Sequence, residues 1–285
     1  MNITAPEFSL MQNEILSLCG VSIAADKQYL IQQRLGPVAS AAGCQSFGEL
    51  HRKLHNGGGA NLAYEVINAI TTNETFFFRD NHPFLTLKSR ILPGLMERLH
   101  KRKQLAGAAG SKIRIWSVAS STGQEAYSLA MLIDECLYEH RKFGLSARDF
   151  YILSTDISNN VLAQAKEGLY DRLAMSRGLS ADRKSRYFEQ REDRWQIKKK
   201  MRDMVTFRYM NLTKPFPVLG QFDLLLCRNV LIYFDERTRI NIYKQFHRLL
   251  DAQGHLLLGS TENIYQMTEM FESERMGSTL LYVKK

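Results

Sequence analysis

Hydrophobic residues recur with a helical period in the first part of the chain. Over residues 1–81, positions such as Phe8, Met11 and Ile15 are three or four residues apart, which places them on one face of a helix. Glycine and proline residues interrupt the pattern several times. The pattern therefore predicts a bundle of several short helices.

A different pattern begins at about Lys112, where short continuous apolar runs alternate with longer helical stretches. Continuous apolar runs are typical of strands buried on both faces of a parallel sheet. Their alternation with helices predicts an α/β fold with a mainly parallel sheet. The predicted strands are 113–118, 150–155, 222–227 and 254–259, and the predicted helices between them include 125–141 and 236–250. A last run at 280–283 is predicted to be an antiparallel edge strand.

Residues 173–209 follow neither pattern. Arg191–Arg194 is turn-like, whereas Trp195–Ile197 and Val205–Phe207 have the composition of short strands. We expect a small antiparallel β insertion here. The length of 285 residues suits about two domains. The predicted organisation is a helical domain at 1–81, a linker helix region at 82–111 and a sheet domain at 112–285.

The composition is ordinary for a globular protein, with 45% hydrophobic and 24% charged residues. No segment approaches the ~18 uninterrupted apolar residues of a membrane span, and no secretory signal pattern is visible at the N-terminus. The four cysteines lack Cys-x-x-Cys spacing, which argues against zinc and disulfides and predicts a cytoplasmic protein. The net charge of +9 predicts an anionic partner, and by itself leaves nucleic acid, an acidic membrane and an acidic protein open.

A histidine pair and a triple glycine are two further candidate ligand motifs. His51 and His55 are four residues apart on a predicted helix, which is metal-ligand spacing. No acidic residue or third histidine accompanies them, so we interpret them as a solvated pair and expect no metal. Gly57–Gly59 lacks the Lys-Ser/Thr of a phosphate loop and is interpreted as a flexible loop.

The first predicted strand leads into a turn of small residues, Ala119–Gly123, and then to Glu125. Such a turn at the carboxyl end of a strand lets a ligand approach the backbone, and Gly123 is the candidate for that approach. The turn lacks the Gly-x-Gly-x-x-Gly spacing of a dinucleotide site. It favours a nucleoside ligand without phosphates, such as S-adenosylmethionine. A plain strand–turn–helix crossing explains this signal equally well.

The next predicted strand ends in Asp156. A carboxylate at this place in an open α/β sheet binds the hydroxyls of a ribose. The alternative is that Asp156 caps the following helix, where Ser158 and Asn159 also offer capping side chains. We favour the ligand interpretation, because strand, turn, helix, strand and acid occur in the required order.

Four segments, in the same order, match one protein family. They are Thr72–Arg79, Ser121–Gly123, Ser154–Ile157 and Cys227–Phe234, the last reading Cys-Arg-Asn-Val-Leu-Ile-Tyr-Phe. On these segments the chain strongly resembles the chemotaxis receptor methyltransferases, the CheR family, over nearly its whole length. The resemblance implies a class I, Rossmann-like methyltransferase sheet with flanking helices and a separate all-α N-terminal domain for receptor recognition. It also implies methyl transfer from S-adenosylmethionine to glutamate side chains of chemoreceptor signalling helices.

The resemblance implies roles for particular residues. Arg79 can form a forked pair with the methionine carboxylate, Asp156 can accept from the ribose, and Asn211 can read an adenine edge. The alternatives are ion pairs with neighbouring acids for Arg79 and structural pairing for Arg228. The implied cofactor contacts are Asn73, Thr75, Arg79, Glu125, Asp156, Asn211, Leu212, Arg228 and Asn229.

The sequence departs from the family pattern at two places. Gln124 and Ala126 stand where the family usually has glutamate and proline, although the second acid, Glu125, is kept. Ser260 and Thr261 replace the family's His-Ser, which removes a histidine whose role is unassigned. Because Glu125 is kept, cofactor binding is expected to survive the first change.

Methylation of glutamate needs little acid–base chemistry. A glutamate carboxylate, with an ordinary pKa of ~4.3, is already ionised at pH 7 and needs no general base. The reaction requires an in-line approach to the methyl group in a partly dry site. The candidate catalytic residues are Arg228 and Tyr233, and Tyr233 is placed to orient the acceptor. Core packing beside Ile232 and Phe234 is an equally good interpretation of Tyr233.

Substrate contacts are predicted on the N-terminal helices. Lys27 and Arg34 are seven residues apart and share one helical face, and receptor methylation helices are rich in glutamate. Two solvated basic residues are the alternative. The hairpin segment Glu189–Met204 looks shorter than in relatives that hold a receptor's C-terminal tether, and it lacks their glycine-rich turn. We therefore expect independence of a C-terminal pentapeptide tether.

Two other functions stay open at this point. An RNA or DNA methyltransferase acting on an exocyclic amine commonly carries Asn-Pro-Pro-Tyr where this chain has Arg228–Leu231. The N-terminal region also lacks interleaved aromatic and basic residues for stacking bases. The third possibility is a non-catalytic adaptor that binds S-adenosylmethionine. The sequence favours the receptor methyltransferase, with no nucleic-acid partner and no membrane insertion.

Overall fold

The computed structural model describes residues 1–56, 59–106, 111–267 and 269–285. Gly57 and Gly58 of the glycine loop, and residues 107–110 of the predicted linker, lie outside the described residues. The helices are α1 (Ala5–Cys19), α2 (Gln28–Ala41), α3 (Phe47–His55), α4 (Gly59–Ile70), α5 (His82–Thr86), α6 (Leu92–Ala106), α7 (Gln124–Glu139), α8 (Asn159–Glu167), α9 (Arg172–Ser176), α10 (Ala181–Tyr187), α11 (Lys199–Arg202) and α12 (Glu236–Leu249). The strands are β1 (Ile113–Val118), β2 (Phe150–Asp156), β3 (Leu169–Tyr170), β4 (Phe188–Arg191), β5 (Arg194–Ile197), β6 (Val205–Tyr209), β7 (Phe222–Cys227), β8 (Leu250–Leu258), β9 (Phe271–Met276) and β10 (Thr279–Lys284).

Helices α1–α4 form the predicted N-terminal bundle. α1 begins with a capping box in which Thr4 and Glu7 satisfy each other's backbone N–H groups. It ends at Gly20, whose φ of 77° suits glycine. A Cβ at Gly20 would lie 2.3 Å from Thr213 Cγ2, so the helix end packs tightly on the sheet domain. The all-α N-terminal domain predicted from the sequence is confirmed.

The interpretation of His51 and His55 as a solvated pair is wrong. Glu14 of α1 lies beside both rings, with its Oε2 atom 2.8 Å from His55 Nε2 and 3.6 Å from His51 Nε2. The acid was missed because α1 and α3 meet only in the folded bundle, and 37 residues separate Glu14 from His51.

Residues 82–106 form a nearly continuous helical segment made of α5, a π-helical turn at Leu87–Ile91 and α6. Its apolar residues, among them Leu92, Leu95 and Leu99, are buried in the same cluster as residues of β1 and α7. The segment predicted as a linker thus contributes core side chains to the sheet domain.

The main sheet has the strand order β6-β2-β1-β7-β8-β10-β9. The first five strands in this order run parallel, whereas β10 pairs antiparallel with both β8 and β9. Ile113 and Ile115 of β1 enter one apolar cluster, and Trp116 and Val118 enter the other. β1 is covered on both faces, and four of its six residues are apolar, as expected for a strand inside a parallel sheet. The Rossmann-like sheet predicted from the sequence is confirmed.

Two strand predictions at the sheet edges are wrong. Val205–Tyr209 belongs to the main sheet beside β2, and not to the insertion. The closing strand β10 is antiparallel, as predicted, but the edge strand is β9, which was not predicted. β9 was missed because four of its residues are exposed and it reads Phe-Glu-Ser-Glu-Arg-Met, with no apolar run.

The small antiparallel sheet has the order β3-β5-β4, and its hairpin turns at Glu192 and Asp193 as predicted. Two acids of α7 anchor it to the main domain. Asp134 accepts from Arg186 at 3.1 Å and also pairs with Lys200, and Glu135 accepts from Arg183 at 2.8 Å. The insertion is therefore fastened at its base by several ion pairs.

The structure bears on two further features of the composition. All four cysteines are buried and free of disulfides. Within the described ranges, no helix combines the length and the apolar character needed to cross a membrane.

Candidate functional site

A cavity lies at the carboxyl ends of β1, β2 and β7, where the strand order of the sheet reverses. Open α/β sheets bind ligands at this switch point. A second wall of the cavity is formed by residues 70–76 and Arg79. Cys19, at the end of α1, and Val21, just after it, complete the lining. The predicted site residues that line the cavity are Asn73, Thr75, Arg79, Glu125, Asp156, Leu212, Arg228, Asn229 and Tyr233.

The turn after β1 lines the cavity and contains two residues, Ala119 and Ser121, with positive φ angles. Ala119 and Ser121 have φ angles of 50° and 52°, a region that costs free energy for residues other than glycine. The Ser120 N–H donates to Thr155 O of β2 at 3.0 Å, and the Ser121 N–H donates to Asp156 Oδ2 at 2.9 Å. The strained turn is thus held against the end of β2.

Asp156 lies at the end of β2 and is 6% exposed. Its Oδ2 atom accepts from Ser121 N–H, and its Oδ1 atom accepts from Ser158 N–H at 2.9 Å. Burial raises the pKa of this carboxyl, opposed by the backbone hydrogen bonds. Ser158 itself caps α8, so Asp156 is not the helix cap. Asp156 bridges two loops and still lines the cavity.

Gly123, which was predicted as a cofactor contact, is not among the residues that line the cavity. It precedes α7 with a φ of 90°. A Cβ at this position would lie 3.0 Å from Ala165 Cβ and 3.3 Å from both Phe207 Cζ and Tyr127 Cε2. Gly123 is therefore needed for the packing of α7 against α8 and β6, away from the ligand cavity.

Arg228 follows β7 and forms a buried network. Its side chain is 2% exposed, with Nη1 3.0 Å from Glu125 Oε2 and Nη2 2.7 Å from Asp80 Oδ2. Nη2 also donates to Arg79 O at 2.9 Å, and Glu125 Oε1 accepts from Ser117 Oγ at 2.8 Å. The structural pairing considered for Arg228 is therefore present.

Two polar atoms of the cavity wall have no partner. Arg228 Nε, a donor, and Asn229 Oδ1, an acceptor, are buried without a hydrogen bond within the described part of the chain. Buried polar atoms normally have partners. An orphaned donor beside an orphaned acceptor suits a ligand that carries both an anionic and a cationic group.

Arg79 lies in the wall formed by residues 70–79. Its Nη1 atom donates to Glu74 O at 3.0 Å, and its guanidinium lies 5.7 Å from the centre of the Phe76 ring. The expected alternative, an ion pair with a neighbouring acid, is not the arrangement seen, because Asp80 pairs with Arg228. Arg79 has further N–H groups besides the one that donates to Glu74 O, and it lines the cavity.

Asn211, which was predicted to read the adenine, is not among the residues that line the cavity. Its Nδ2 atom donates to Leu18 O at 2.8 Å, and its Oδ1 atom accepts from Thr213 N–H at 3.0 Å. The Nδ2 end of the amide thus links the sheet domain to α1, and the Oδ1 end stabilises the local turn at Thr213. The neighbouring Leu212 and Met210 do line the cavity, and they give it an apolar surface.

Glu262 is a residue of the site region that the sequence analysis missed. Its carboxylate accepts from the N–H groups of Asn229, Val230, Leu231 and Gly259, at 2.7 to 3.0 Å. It therefore fixes the loop after β7, in which Asn229 has a φ of 59°. The signal in the sequence was Glu262 itself, the glutamate kept next to the missing histidine.

Tyr233 ends the short 3₁₀ helix Leu231–Tyr233 and lines the cavity. Its carbonyl accepts from Ser22 N–H at 2.8 Å, and Val21 forms a β-bridge with Phe234. Tyr233 is half-buried, whereas Ile232 is exposed. The ring of Tyr233 is thus part of the cavity wall and not of the protein core.

The two predicted substrate contacts differ in the structure. Lys27 is exposed at the start of α2. Arg34 is half-buried, and its guanidinium donates to Ile70 O at 2.6 Å and to Thr72 Oγ1 at 3.1 Å. Arg34 therefore braces the segment that enters the cavity wall, so the two residues do not form one free basic face.

Comparisons with known proteins agree with this architecture. Residues 73–279 match the family described as "CheR methyltransferase, SAM binding domain", and residues 6–71 match "CheR methyltransferase, all-alpha domain". The chain belongs to the CheR methyltransferase family. Chemotaxis protein methyltransferase 1 of Pseudomonas aeruginosa is 37% identical, and the similarity covers all of both chains. The chemotaxis protein methyltransferase of Vibrio anguillarum is 37% identical over all of this chain and 99% of its own.

A more distant relative spans the same two regions. The chemotaxis protein methyltransferase of Salmonella typhimurium is 32% identical over 90% of this chain and 83% of its own. In this CheR family member most of the cavity wall lies within the matched S-adenosylmethionine-binding domain, and Cys19, Val21, Ile70 and Thr71 come from the matched all-alpha domain. Both matched domains therefore contribute to one cavity.

Proposed function

We propose that this protein transfers the methyl group of S-adenosylmethionine to glutamate carboxylates in the signalling helices of chemoreceptors. The observation that carries the proposal is the cavity at the reversal of strand order, with Asp156 at the end of β2 in its wall. Membership of the CheR family supports the cofactor, and the names of the relatives support chemotaxis as the setting. We place the protein in the cytoplasm, where the signalling helices of receptors lie.

The residues present fit S-adenosylmethionine, which when bound supplies a methyl group on a sulfonium centre. Asp156 can accept from the ribose hydroxyls with the lone pairs that its backbone donors leave free. Leu212 and Met210 offer apolar surface to the adenine, in place of the hydrogen bonds first expected from Asn211. Asn73 and Thr75 add polar atoms along the same cavity.

The amino-acid part of the cofactor carries a carboxylate and an ammonium group. Arg79 can bind the carboxylate through two N–H groups, and the free Nε of Arg228 is a second donor. The free Oδ1 of Asn229 can accept from the ammonium. Arg228 and Glu125 neutralise each other, so their pair shapes the cavity without adding net charge.

The chemistry requires positioning and exclusion of water. With the cofactor bound, the ionised glutamate oxygen would take up the methyl group by in-line attack, S-adenosylhomocysteine would leave, and no proton would need to move. Because the charges of carboxylate and sulfonium diminish toward the transition state, a partly dry site favours the reaction. Tyr233, at the cavity wall, would orient the acceptor. Cys19 does not compete as an acceptor, since burial raises the pKa of its thiol to about 11.

Receptor helices would approach over the N-terminal domain. Lys27 is available for a glutamate-rich surface, and the net charge of +9 would steer such a surface by attraction. Arg34 instead donates to Ile70 O and Thr72 Oγ1 and so supports the segment that forms part of the cavity wall. This protein is expected to have no nucleic-acid partner and no inserted membrane segment.

We further propose that the enzyme acts on receptors without a C-terminal pentapeptide tether. Strand addition needs a free edge of sufficient length. The outer strand of the small sheet, β4, has four residues, of which the last three are exposed. An edge this short offers a peptide few backbone groups to pair with. Micromolar binding of a receptor C-terminal pentapeptide, lost when Trp195–Ile197 is replaced, would contradict this proposal.

The test is a competition between acceptors. The protein is incubated with S-adenosylmethionine labelled in the methyl group, together with a receptor cytoplasmic fragment and total RNA. The proposal predicts label in the receptor fragment alone. Label in RNA would favour a nucleic-acid methyltransferase, and cofactor binding without any transfer would favour a non-catalytic adaptor.

A further inference from the structure

Three metal-binding side chains meet between helices α1 and α3, outside the cavity. His51 and His55 lie one turn apart on α3, with ring centres 4.6 Å apart, and Glu14 reaches them from α1. One ligand atom from each residue can be chosen so that all three lie within 4.8 Å of one another. Among the described residues, no other group of histidine, cysteine or acidic side chains of this kind is present.

The donor set selects a particular class of metal. Two imidazoles and one carboxylate suit zinc and neighbouring divalent transition metals, whereas calcium and magnesium prefer all-oxygen sites. Around a tetrahedral zinc ion with bonds of about 2 Å, ligand atoms lie roughly 3.3 Å apart. The observed separations from Glu14 Oε2, 2.8 Å to His55 and 3.6 Å to His51, lie on either side of that value. The third separation, between the two histidine nitrogens, is at most 4.8 Å, so rotation of the side chains can bring the three ligand atoms around one ion.

Burial divides the site into an inner and an outer side. The Glu14 side chain is 10% exposed and His51 is 23% exposed, whereas His55 is 59% exposed. The inner ligands are held by packing, which favours a fixed geometry. The outer side is open, so a metal ion can enter from solvent and complete its coordination with water.

We propose that Glu14, His51 and His55 form a zinc site that links α1 to α3. The site is structural, because it lies within the N-terminal bundle and contributes nothing to the cavity wall. Its consequence reaches the cavity indirectly, since α1 ends at Cys19, which lines the wall. The simpler reading is a Glu14–His55 hydrogen bond without metal, and it predicts no zinc binding at all.

The test uses the full-length protein with its purification tag removed and its metal stripped. Zinc chloride is titrated by calorimetry at pH 7.5 in a buffer that does not chelate zinc. The expected result is one equivalent bound with micromolar or tighter affinity. His55→Gln, at the exposed ligand, should weaken binding at least tenfold without impairing folding. His140→Gln, outside the cluster, is the matched control and should bind as the wild type does.

A second ligand variant and a measurement of thermal stability test the zinc site independently. Glu14→Gln should also weaken zinc binding at least tenfold, and zinc should raise the thermal unfolding temperature of the wild type but not of His55→Gln. No measurable heat with 100 μM zinc, a concentration on the order of 100 times a micromolar Kd, would overturn the proposal. Binding that is equal in the wild type, His55→Gln and Glu14→Gln would overturn it as well, because the zinc would then lie elsewhere.

Discussion

The Arg228 guanidinium and the Glu125 carboxylate form a buried ion pair across the cavity wall, with Nη1 3.0 Å from Oε2. The pair joins the end of β7 to the first turn of α7. Asp80 completes it as a second carboxylate on Nη2. The cavity therefore keeps its shape through a charge network, and this predicts how single substitutions will behave.

The losses from removing Arg228 and Glu125 should not be additive. Arg228→Met leaves Glu125 and Asp80 facing each other without a cation, and we expect a loss of about 3–5 kcal/mol in the free energy of unfolding. The double variant Arg228→Met, Glu125→Gln should lose less than the sum of the single losses. Urea unfolding followed by circular dichroism gives both values. Arg90→Met, at an exposed arginine, is the control, and additive losses in the double variant would contradict the network.

Asp156 should matter for cofactor binding in addition to its backbone hydrogen bonds. Asp156→Ala removes the acceptor for the ribose hydroxyls, and we expect binding of S-adenosylmethionine to weaken at least tenfold, equivalent to the ~1–3 kcal/mol of a lost buried hydrogen bond. Calorimetry measures the affinity, and circular dichroism establishes that the variant is folded. Unchanged affinity in a folded variant would remove Asp156 from the site.

Gly123 should matter for the fold more than for the cofactor. Gly123→Ala combines a positive φ with a Cβ 3.0 Å from Ala165 Cβ, and Gly144→Ala is a matched control with a φ of 63° and open space around it. The backbone strain is comparable at the two positions, so the difference isolates the crowding. We expect Gly123→Ala to lose about 1–3 kcal/mol more stability than Gly144→Ala. If the two variants lose equal stability, α7 and α8 can move apart to accommodate the added Cβ, and Gly123 is not required for their packing.

Low pH should reduce the stability of the N-terminal bundle through protonation of Glu7. Hydrogen bonds from the N–H groups of Thr4 and Gly48 lower the pKa of Glu7 below its ordinary value of 4.5. A carboxyl whose pKa is lower in the folded state stabilises the fold above pH 4.5, and this stability is lost as pH falls through the lowered pKa. Glu7→Gln should therefore show a smaller drop in urea midpoint between pH 6 and pH 3 than the wild type. Glu65→Gln, at an exposed acid, should retain the full drop.

The sequence predicted those parts of the fold that are local or strongly patterned. β1 and β2 are rich in apolar and β-branched residues, and Asp156 is the last residue of β2. β6 was assigned to the insertion because a five-residue strand does not reveal which sheet it joins. β9 was missed because its exposed edge carries charged residues instead of an apolar run.

The site was predicted less completely, because several of its side chains are fixed by distant partners. Asn211 pairs with Leu18, 193 residues away, so its amide looked free in the sequence. The Glu262 carboxylate accepts from backbone N–H groups of the loop after β7 and from Gly259, and such contacts leave no mark on the sequence of that loop. The Glu14 partner of His51 and His55 depends on the packing of two helices, which spacing along the chain does not show.

The chemical nature of the product tests the central claim most directly. A receptor cytoplasmic fragment is methylated with labelled S-adenosylmethionine, digested, and analysed by mass spectrometry before and after mild alkali. The account predicts a methyl group on glutamate side chains that mild alkali releases as volatile methanol, because the product is an ester. A methyl group that survives alkali, or one found on a residue other than glutamate, would contradict the account.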